Sequence, residues 1–182
     1  MPNQSILNKK VAVIIAFRDF RDVEYFIPKN ILAGAGAKII TVSSQKGIAI
    51  GADGGEVQVN LLASEVNIAE FDAVVFIGGA GMGKSLDNPD FQKIAQDAAA
   101  ADKVLGAICI APALLAKAGV LKGKKATVWS SAMDKSAVKI LEEGGAQYLA
   151  EDAVTDGKLI TASGPPAAKQ FGETLLELLT SF

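Results

Sequence analysis

The sequence contains no histidine and only one cysteine, and these two scarcities exclude much of the chemistry open to an enzyme. Without histidine the chain cannot form a Ser-His-Asp triad, an internal Cys-His dyad or a histidine-bearing metal site. A single thiol can form neither an internal disulfide nor a multi-thiolate metal site, which leaves only weak carboxylate sites for hard cations. Thiol chemistry in this chain therefore has to use a carboxylate, backbone N–H groups or a group from another subunit.

Three further features are missing. No apolar stretch is long enough to span a bilayer, and the segment Met1–Lys10 is too polar for a secretion signal. No basic block is present, and 18 Lys and Arg residues stand against 20 Asp and Glu residues, for a net charge of −2. We therefore expect neither a membrane nor a nucleic-acid partner. A lone cysteine is typical of the reducing cytoplasm, which is the expected location.

The chain has 182 residues, half of them hydrophobic, which is enough for one domain with a substantial core. Apolar runs of strand length alternate with stretches of helical periodicity along the whole sequence. This order predicts a single α/β domain over residues 1–182, with a mostly parallel sheet and helices on both of its faces. Residues 1–10 are expected to form a short N-terminal extension.

The expected elements follow from the apolar spacing and from the glycines and prolines that interrupt it. Pro28 falls inside the first helix and is expected to kink or break it. The expected strands cover residues 11–17, 37–43, 71–77, 104–108 and 126–129, the expected helices cover residues 22–35, 89–101, 112–118, 134–143 and 165–179, and two antiparallel excursions cover residues 47–60 and 148–161, the second turning at Asp156-Gly157.

The cysteine, Cys109, ends the apolar run 104–108 and stands just before a helix-like run that opens at Pro112. A strand, a sharp turn and a helix in this order form a nucleophile elbow, in which the corner side chain stands clear of the sheet. The thiol would then lie near the free N–H groups at the start of the helix, which favour thiolate over thiol. The residues of this segment alone fit a simply buried cysteine as well.

A glycine-rich loop over residues 78–83 follows another predicted strand and, with Lys84-Ser85, formally matches a phosphate-binding P-loop. A P-loop helix has to start at the Lys-Ser pair, whereas Pro89 delays the next helix here. The sequence also offers no obvious acidic partner for magnesium. The other use of this loop is to present backbone N–H groups as an oxyanion hole beside the cysteine.

Two of the acids after the first predicted strand have different expected roles. Asp22 suits the N-terminal cap of the following helix. Glu24 is expected to point over the carboxyl edge of the sheet towards Cys109. A buried carboxyl beside a thiolate tends to be protonated and then donates a hydrogen bond to sulfur, so the pair predicts a thiolate at neutral pH.

Four short motifs follow one another along the chain: Asp22-Val23-Glu24 with Ile27-Pro28, Phe76-Ile77-Gly78-Gly79, Ala107-Ile108-Cys109 with Pro112, and Thr161-Ala162-Ser163-Gly164-Pro165. In this order they resemble the ThiJ/PfpI superfamily, which contains Parkinson disease protein seven and the PfpI-type intracellular proteases. The likeness runs from Val11 to about Leu179. It implies a flavodoxin-like three-layer sandwich that carries a nucleophile elbow.

The resemblance also implies roles for particular residues. It makes Cys109 the reactive cysteine and Glu24 the carboxyl that contacts the thiol. It makes Gly79 and Ile110 the backbone donors of an oxyanion hole. A small pocket is expected to involve Gly78, Trp129 and Ser163.

The family further implies a homodimer and no cofactor. The expected dimer contact lies around residues 18–26, with Phe20 and Tyr25 at the surface. Both aromatic residues fit a core position as well, and Tyr25, like Trp129, would also suit the wall of a small pocket.

The chain departs from the family at two histidine positions, one taken by Ile110 directly after the cysteine and one near Trp129. The resemblance implies a cysteine-dependent enzyme for small reactive carbonyls, glyoxalase-like or deglycase-like, in oxidative or carbonyl stress. It also leaves open a non-catalytic redox sensor or chaperone and, third, a PfpI-type peptidase or amidase. Addition of a thiol to a carbonyl suits a histidine-free site better than peptide cleavage, because an amine leaving group needs a strong general acid.

Overall fold

The apolar runs of the sequence form a parallel sheet that is buried on both faces. A computed structural model describes residues 6–182. In chain order its strands are β1 (Lys10–Ile14), β2 (Arg18–Phe20), β3 (Lys38–Ser43), β4 (Gly47–Gly51), β5 (Glu56–Val59), β6 (Leu61–Leu62), β7 (Ala73–Phe76), β8 (Val104–Ile108), β9 (Lys125–Ala126), β10 (Gln147–Tyr148), β11 (Ala153–Asp156) and β12 (Leu159–Ala162).

The central sheet of the described residues has seven strands in the order β11-β12-β8-β7-β1-β3-β6. Neighbouring strands are parallel except β11 and β12, which form an antiparallel pair at one edge. Strands β4 and β5 form a separate hairpin, and β2 pairs with β4. The predicted antiparallel excursion at residues 47–60 is therefore confirmed.

Helices cover both faces of the sheet: α1 (Asp22–Gly34), α2 (Ala80–Gly83), α3 (Pro89–Ala100), α4 (Ala111–Lys117), α5 (Ser136–Glu143) and α6 (Ala168–Ser181). One apolar cluster contains side chains of α3, α4 and α5, and the other contains side chains of α1 and α6. Successive strand residues alternate between them: Val11 and Val13 belong to the second cluster, Ala12 and Ile14 to the first. This alternation explains why the strands are apolar throughout. The predicted three-layer α/β fold is confirmed.

Two local predictions need correction. Helix α1 has no break at Pro28, which is packed at the close contact between α1 and α6, and the kink stays a prediction. Tyr148 does not join the β11–β12 pair, because β10 pairs with β9 instead. The Asp156-Gly157 turn itself lies where it was predicted, between β11 and β12.

Part of the predicted N-terminal extension belongs to the packed domain. Ile6 is buried in the core, and Lys10 opens β1. Residues 1–5 of that extension lie outside the described residues. Within residues 6–182, no helix combines the length and the apolar character that crossing a membrane requires.

The strand order decides which loops meet. Strands β12, β8, β7 and β1 are neighbours, and because they are parallel their carboxyl ends lie along the same edge. In sheets of this kind that edge is where ligands bind. The loops at Gly78, Cys109 and Ser163 therefore leave the sheet side by side.

Candidate active site

Cys109 occupies a strained corner between β8 and α4. Its φ angle is +64°, in the left-handed region that costs a residue with a side chain roughly 1–3 kcal/mol unless its surroundings hold it. Those surroundings are hydrogen bonds on both sides: the Cys109 N–H donates to the Ala162 carbonyl (2.9 Å), and its carbonyl accepts from the Trp129 N–H (2.8 Å). The side chain is half-buried. This is the elbow that the sequence predicts.

Glu24 lies in the first turn of α1, beside this corner, and has no solvent-exposed surface. Its Oε2 atom accepts a hydrogen bond from the Gly78 N–H at 3.0 Å. The Cys109 thiol lies close enough to hydrogen-bond the carboxyl and lower its pKa. Even so, Oε1 has no partner of ordinary hydrogen-bond geometry within residues 6–182. A buried carboxyl with a free oxygen beside a thiol is a group placed to exchange a proton.

Gly78 permits this contact because it has no side chain. A Cβ at this position would lie 2.5 Å from the Cys109 Cβ and 2.6 Å from Glu24 Oε2. Real side chains do not approach so closely, so any larger residue would push the thiol and the carboxyl apart. Gly78 is thus a spacer between the two groups rather than a wall of a pocket.

Two backbone N–H groups face the cysteine sulfur. Those of Gly79 and Ile110 act on it as hydrogen-bond donors that lower the pKa of the thiol. Gly79 has a φ angle of +110°, and a Cβ on it would lie 2.5 Å from the Asp19 carbonyl oxygen. Both residues are therefore where an oxyanion hole beside Cys109 would need them.

The glycine loop does not continue as a phosphate-binding helix. Its residues form the four-residue helix α2, and the next helix, α3, starts only at Pro89. Asn88 caps α3 by accepting hydrogen bonds from the N–H groups of Asp90 and Phe91. Among residues 6–182, no group of three potential ligating side chains is placed to hold a metal ion.

The buried position of the pair acts against the predicted thiolate. Burial raises the pKa of Glu24 from 4.5 to about 7, against the opposing effects of the Cys109 thiol, the Gly78 N–H and the Arg21 charge. Burial, together with the charge of Glu24 and its hydrogen bond, raises the pKa of Cys109 to about 12. The raised pKa of Cys109 opposes the predicted resting thiolate, which stays a prediction: with Glu24 ionised, its charge favours the neutral thiol. The physical reason is that burial penalises either charge and that Glu24 as carboxylate repels a second anion.

A cleft of about 420 Å³ includes Trp129, whose N–H donates to the Cys109 carbonyl, but its lining includes neither Cys109 nor Glu24. It is lined by two of the three predicted pocket residues, Trp129 and Ser163, but not by Gly78. The cleft also carries charged groups of both signs, namely Lys135, Glu151 and Asp152. Tyr25 is not on this wall, because it is buried and its hydroxyl forms a 2.6 Å hydrogen bond with the Thr41 hydroxyl.

Asp22 does not cap α1 as predicted. The cap residue is Arg21, which makes no side-chain cap, and the Asp22 carboxylate binds backbone N–H groups of the β4–β5 turn instead. The glycines at positions 51, 54 and 55 were the available signal, since they indicate a turn that another group approaches closely.

A family model described as the DJ-1/PfpI family matches residues 9–178. The chain belongs to the DJ-1/PfpI family. The uncharacterized protein MJ0967 of Methanocaldococcus jannaschii is 36% identical over 177 residues, which are 97% of this chain and 85% of that protein. Protein/nucleic acid deglycase 2 of Escherichia coli is 31% identical over 176 residues, 95% of this chain and 99% of that one.

Solved structures of DJ-1/PfpI proteins share the fold. The ThiJ/PfpI domain protein of Brachyspira murdochii superposes with a TM-score of 0.88 at 32% identity and covers 97% of this chain and 98% of its own. A more distant relative in sequence is the glutathione-independent glyoxalase DJR-1.2 of Caenorhabditis elegans, 23% identical over 171 residues, 94% of this chain and 89% of that one.

The first prediction concerns the thiol. Because the Glu24 carboxylate raises the pKa of Cys109, we expect Glu24→Gln to lower that pKa below its wild-type value. Thiolate absorbance at 240 nm, followed as a function of pH, measures it directly, since Cys109 is the only cysteine. Glu56→Gln, at an exposed position in the β4–β5 hairpin, is the matched control and should leave the titration unchanged. A rise on Glu24→Gln would mean that Glu24 stabilises the thiolate after all.

The second prediction concerns stability. The folded-state pKa of Glu24 lies above its ordinary value, so Glu24 ionises more easily in the unfolded chain. The residue therefore lowers the free energy of unfolding as the pH rises from 4.5 through about 7. Glu24→Gln is therefore expected to stabilise the protein by about 3 kcal/mol at pH 8 and by less than about 1 kcal/mol at pH 5. Urea unfolding at both pH values, again with Glu56→Gln as control, measures the difference. An equal effect at both pH values would contradict this assignment.

Proposed function

We propose that this chain is a cofactor-free enzyme of carbonyl stress, in which the Cys109 thiol adds to the aldehyde of a 2-oxoaldehyde such as methylglyoxal. One observation carries the proposal: a fully buried carboxyl whose pKa is raised to about 7 lies against a thiol on a strained elbow that two backbone N–H groups face. Such a pair can move a proton at neutral pH without histidine. The deglycase and glyoxalase names of the relatives add support at the level of the family.

In the first step, ionised Glu24 takes the proton of the Cys109 thiol while sulfur attacks the aldehyde carbon. The S–C bond forms, and the carbonyl electron pair moves to oxygen. The N–H groups of Gly79 and Ile110 donate to that oxygen as it gains charge. Glu24 then returns its proton to the oxygen, which gives a neutral thiohemiacetal.

In the second step, Glu24 removes the hydrogen of the former aldehyde carbon as a proton. The electron pair left behind forms the C=C bond of an enediolate as the ketone electron pair moves onto its oxygen. Glu24 returns the proton to the former ketone carbon, and the hydroxyl proton of the former aldehyde carbon passes to the neighbouring oxygen, which gives a 2-hydroxyacyl thioester. One water molecule hydrolyses the thioester to lactate and frees the Cys109 thiol. The aldehyde carbon is oxidised as the ketone carbon is reduced, so the reaction needs no external oxidant or cofactor.

The cleft that includes Trp129 has room for a larger substrate. Its volume of about 420 Å³ lies in the range that suits a small-molecule site rather than a three-carbon aldehyde alone. Its lining includes Lys135, Glu151 and Asp152, a charge pattern that complements a group carrying both signs. We propose that carbonyl adducts of amino groups, the substrates of a deglycase, also enter here.

The third prediction tests this activity. We expect the wild type to convert methylglyoxal to lactate, and Cys109→Ser and Glu24→Gln each to lower the turnover rate by roughly 100-fold or more, since each removes a group that carries the reaction. Enzymatic determination of D- and L-lactate measures the product. Glu56→Gln is the control. The wild-type rate should rise as pH passes about 7, because Glu24 must be ionised to accept the thiol proton.

Two results would overturn the proposal: lactate formation that survives in Cys109→Ser, or a wild-type rate no faster than buffer. The second would favour a redox sensor or chaperone that uses the same thiol only as a switch. A peptidase is disfavoured because no histidine is present to protonate the weakly basic amide nitrogen of a peptide, whereas the nitrogen of a carbonyl–amine adduct is basic and takes up a proton more easily.

The fourth prediction concerns assembly, since we also propose a homodimer. Phe20 and Tyr25 are buried and cannot form the contact, but Val23 and Ile27 are 39% and 37% exposed, one helical turn apart on α1. We expect sedimentation at micromolar concentration to show a dimer that Ile27→Lys shifts towards monomer. Met133→Lys, at an apolar side chain that is 97% exposed, is the matched control. A monomeric wild type would refute the homodimer.

A further inference from the structure

Asp22 is a buried carboxylate that no step of the proposed reaction uses. It is 8% exposed, and its two oxygens accept backbone hydrogen bonds from a distant turn, Oδ2 from the Asp53 N–H at 2.8 Å and Oδ1 from the Gly55 N–H at 2.6 Å. Hydrogen bonds from N–H groups to a charged acceptor are stronger than those between neutral groups. The carboxylate therefore fastens the β4–β5 hairpin to the first turn of α1.

The turn is built around this carboxylate. A Cβ on Gly51 or on Gly55 would collide with the Asp22 carboxyl group. The carboxyl group therefore fits into the turn only because both residues lack a side chain. Gly51 also donates to the Gly55 carbonyl oxygen at 2.7 Å, which closes the turn on itself. The contact is thus specified from both sides, by the acid on α1 and by the glycines of the hairpin.

The fastened hairpin continues into the site through β2. The Ala52 N–H donates to the Phe20 carbonyl at 2.8 Å, and the Arg21 N–H donates to the Gly78 carbonyl at 3.0 Å. Gly79 packs against the backbone of β2 so closely that a Cβ on it would lie 2.9 Å from the Phe20 carbonyl carbon. An unbroken series of backbone contacts therefore joins the turn to the N–H group that faces the cysteine sulfur.

We propose that Asp22 is a positioning residue for the Cys109 site, which locks the β4–β5 hairpin and β2 against α1 and so holds the Gly79 N–H and Glu24 in register with the sulfur. The inference rests on the proposed function for its catalytic meaning. The positioning of the Gly79 N–H and Glu24 against the sulfur does not depend on any substrate, because it concerns only the surroundings of the Cys109 thiol. If the lactate assay fails, the positioning role of Asp22 can therefore still be correct.

A positioning role and a purely electrostatic role of Asp22 predict opposite changes in the pKa of the Cys109 thiol when Asp22 is replaced by Asn. The charged groups that act on the Cys109–Glu24 pair are the two residues' own charges and Arg21. If Asp22 acted only through its charge, Asp22→Asn would remove a nearby anion and make the thiolate easier to form. If it positions the Gly79 donor, the same substitution loosens the donor and makes the thiolate harder to form.

The fifth prediction uses the rate of alkylation of the sole cysteine by iodoacetamide, followed by intact mass from pH 7 to 9.5. We expect Asp22→Asn to react about three- to tenfold more slowly than wild type at each pH, since a weaker donor raises the pKa of the thiol by roughly half a unit to one unit. Glu56→Gln removes one negative charge from the hairpin that Asp22 fastens, but the Glu56 side chain binds no N–H group of the turn, so this variant should react like wild type. An Asp22→Asn rate that is unchanged or faster overturns the proposal, as does an equal slowing by Glu56→Gln.

A second variant covers the case in which Asp22→Asn shows no cooperative thermal transition. Gly54 has a φ angle of +89° and open space around it, so Gly54→Ala strains the turn without a clash and keeps the Asp22 charge. We expect it to slow alkylation in the same direction. A Gly54→Ala rate equal to wild type would overturn the proposal.

Discussion

The structure of the site depends on one constraint, which is that a carboxyl and a thiol are buried against each other with a single proton to share. Burial makes the charged form of either group unfavourable in this position, and repulsion makes it still less favourable for both groups to be charged at once. The proton therefore lies on sulfur when Glu24 is ionised, and the nucleophile appears only when Glu24 takes that proton. In the mechanism that we propose, the reactive thiolate is made by proton transfer within the pair.

The rest of the site makes this arrangement possible. Gly78 leaves the gap through which the two groups meet, and the left-handed backbone at Cys109 turns the sulfur out of the sheet towards it. The cost of the strained corner is offset by hydrogen bonds to Ala162 and Trp129 on neighbouring segments. The parallel strand order brings Gly78, Cys109 and Ala162 together because β7, β8 and β12 are neighbours, and Trp129 comes from the segment after β9.

The absence of histidine limits what this site does well. Glu24 can relay a proton between sulfur, carbon and oxygen, and the Gly79 and Ile110 N–H groups can stabilise an oxyanion. Those are the needs of carbonyl addition and of an internal redox shift. Cleavage of a peptide also needs an acid that can protonate the weakly basic amide nitrogen, which the histidine-free chain does not supply.

The sequence by itself determined the α/β class and the order of the main elements, and it indicated the elbow at Cys109, because apolar periodicity and glycine or proline interruptions act over a few residues. It also indicated Glu24, through a motif shared with a family. Only the tertiary structure showed that burial raises the pKa values of Glu24 and Cys109, since segments far away in the chain remove both groups from water. The N–H groups that bind Asp22 are likewise 31 and 33 residues away in the chain. The sequence alone therefore could not show that Asp22 binds a distant turn instead of capping its own helix. Local spacing encodes which element forms, whereas desolvation and long-range hydrogen bonds exist only once the elements have packed.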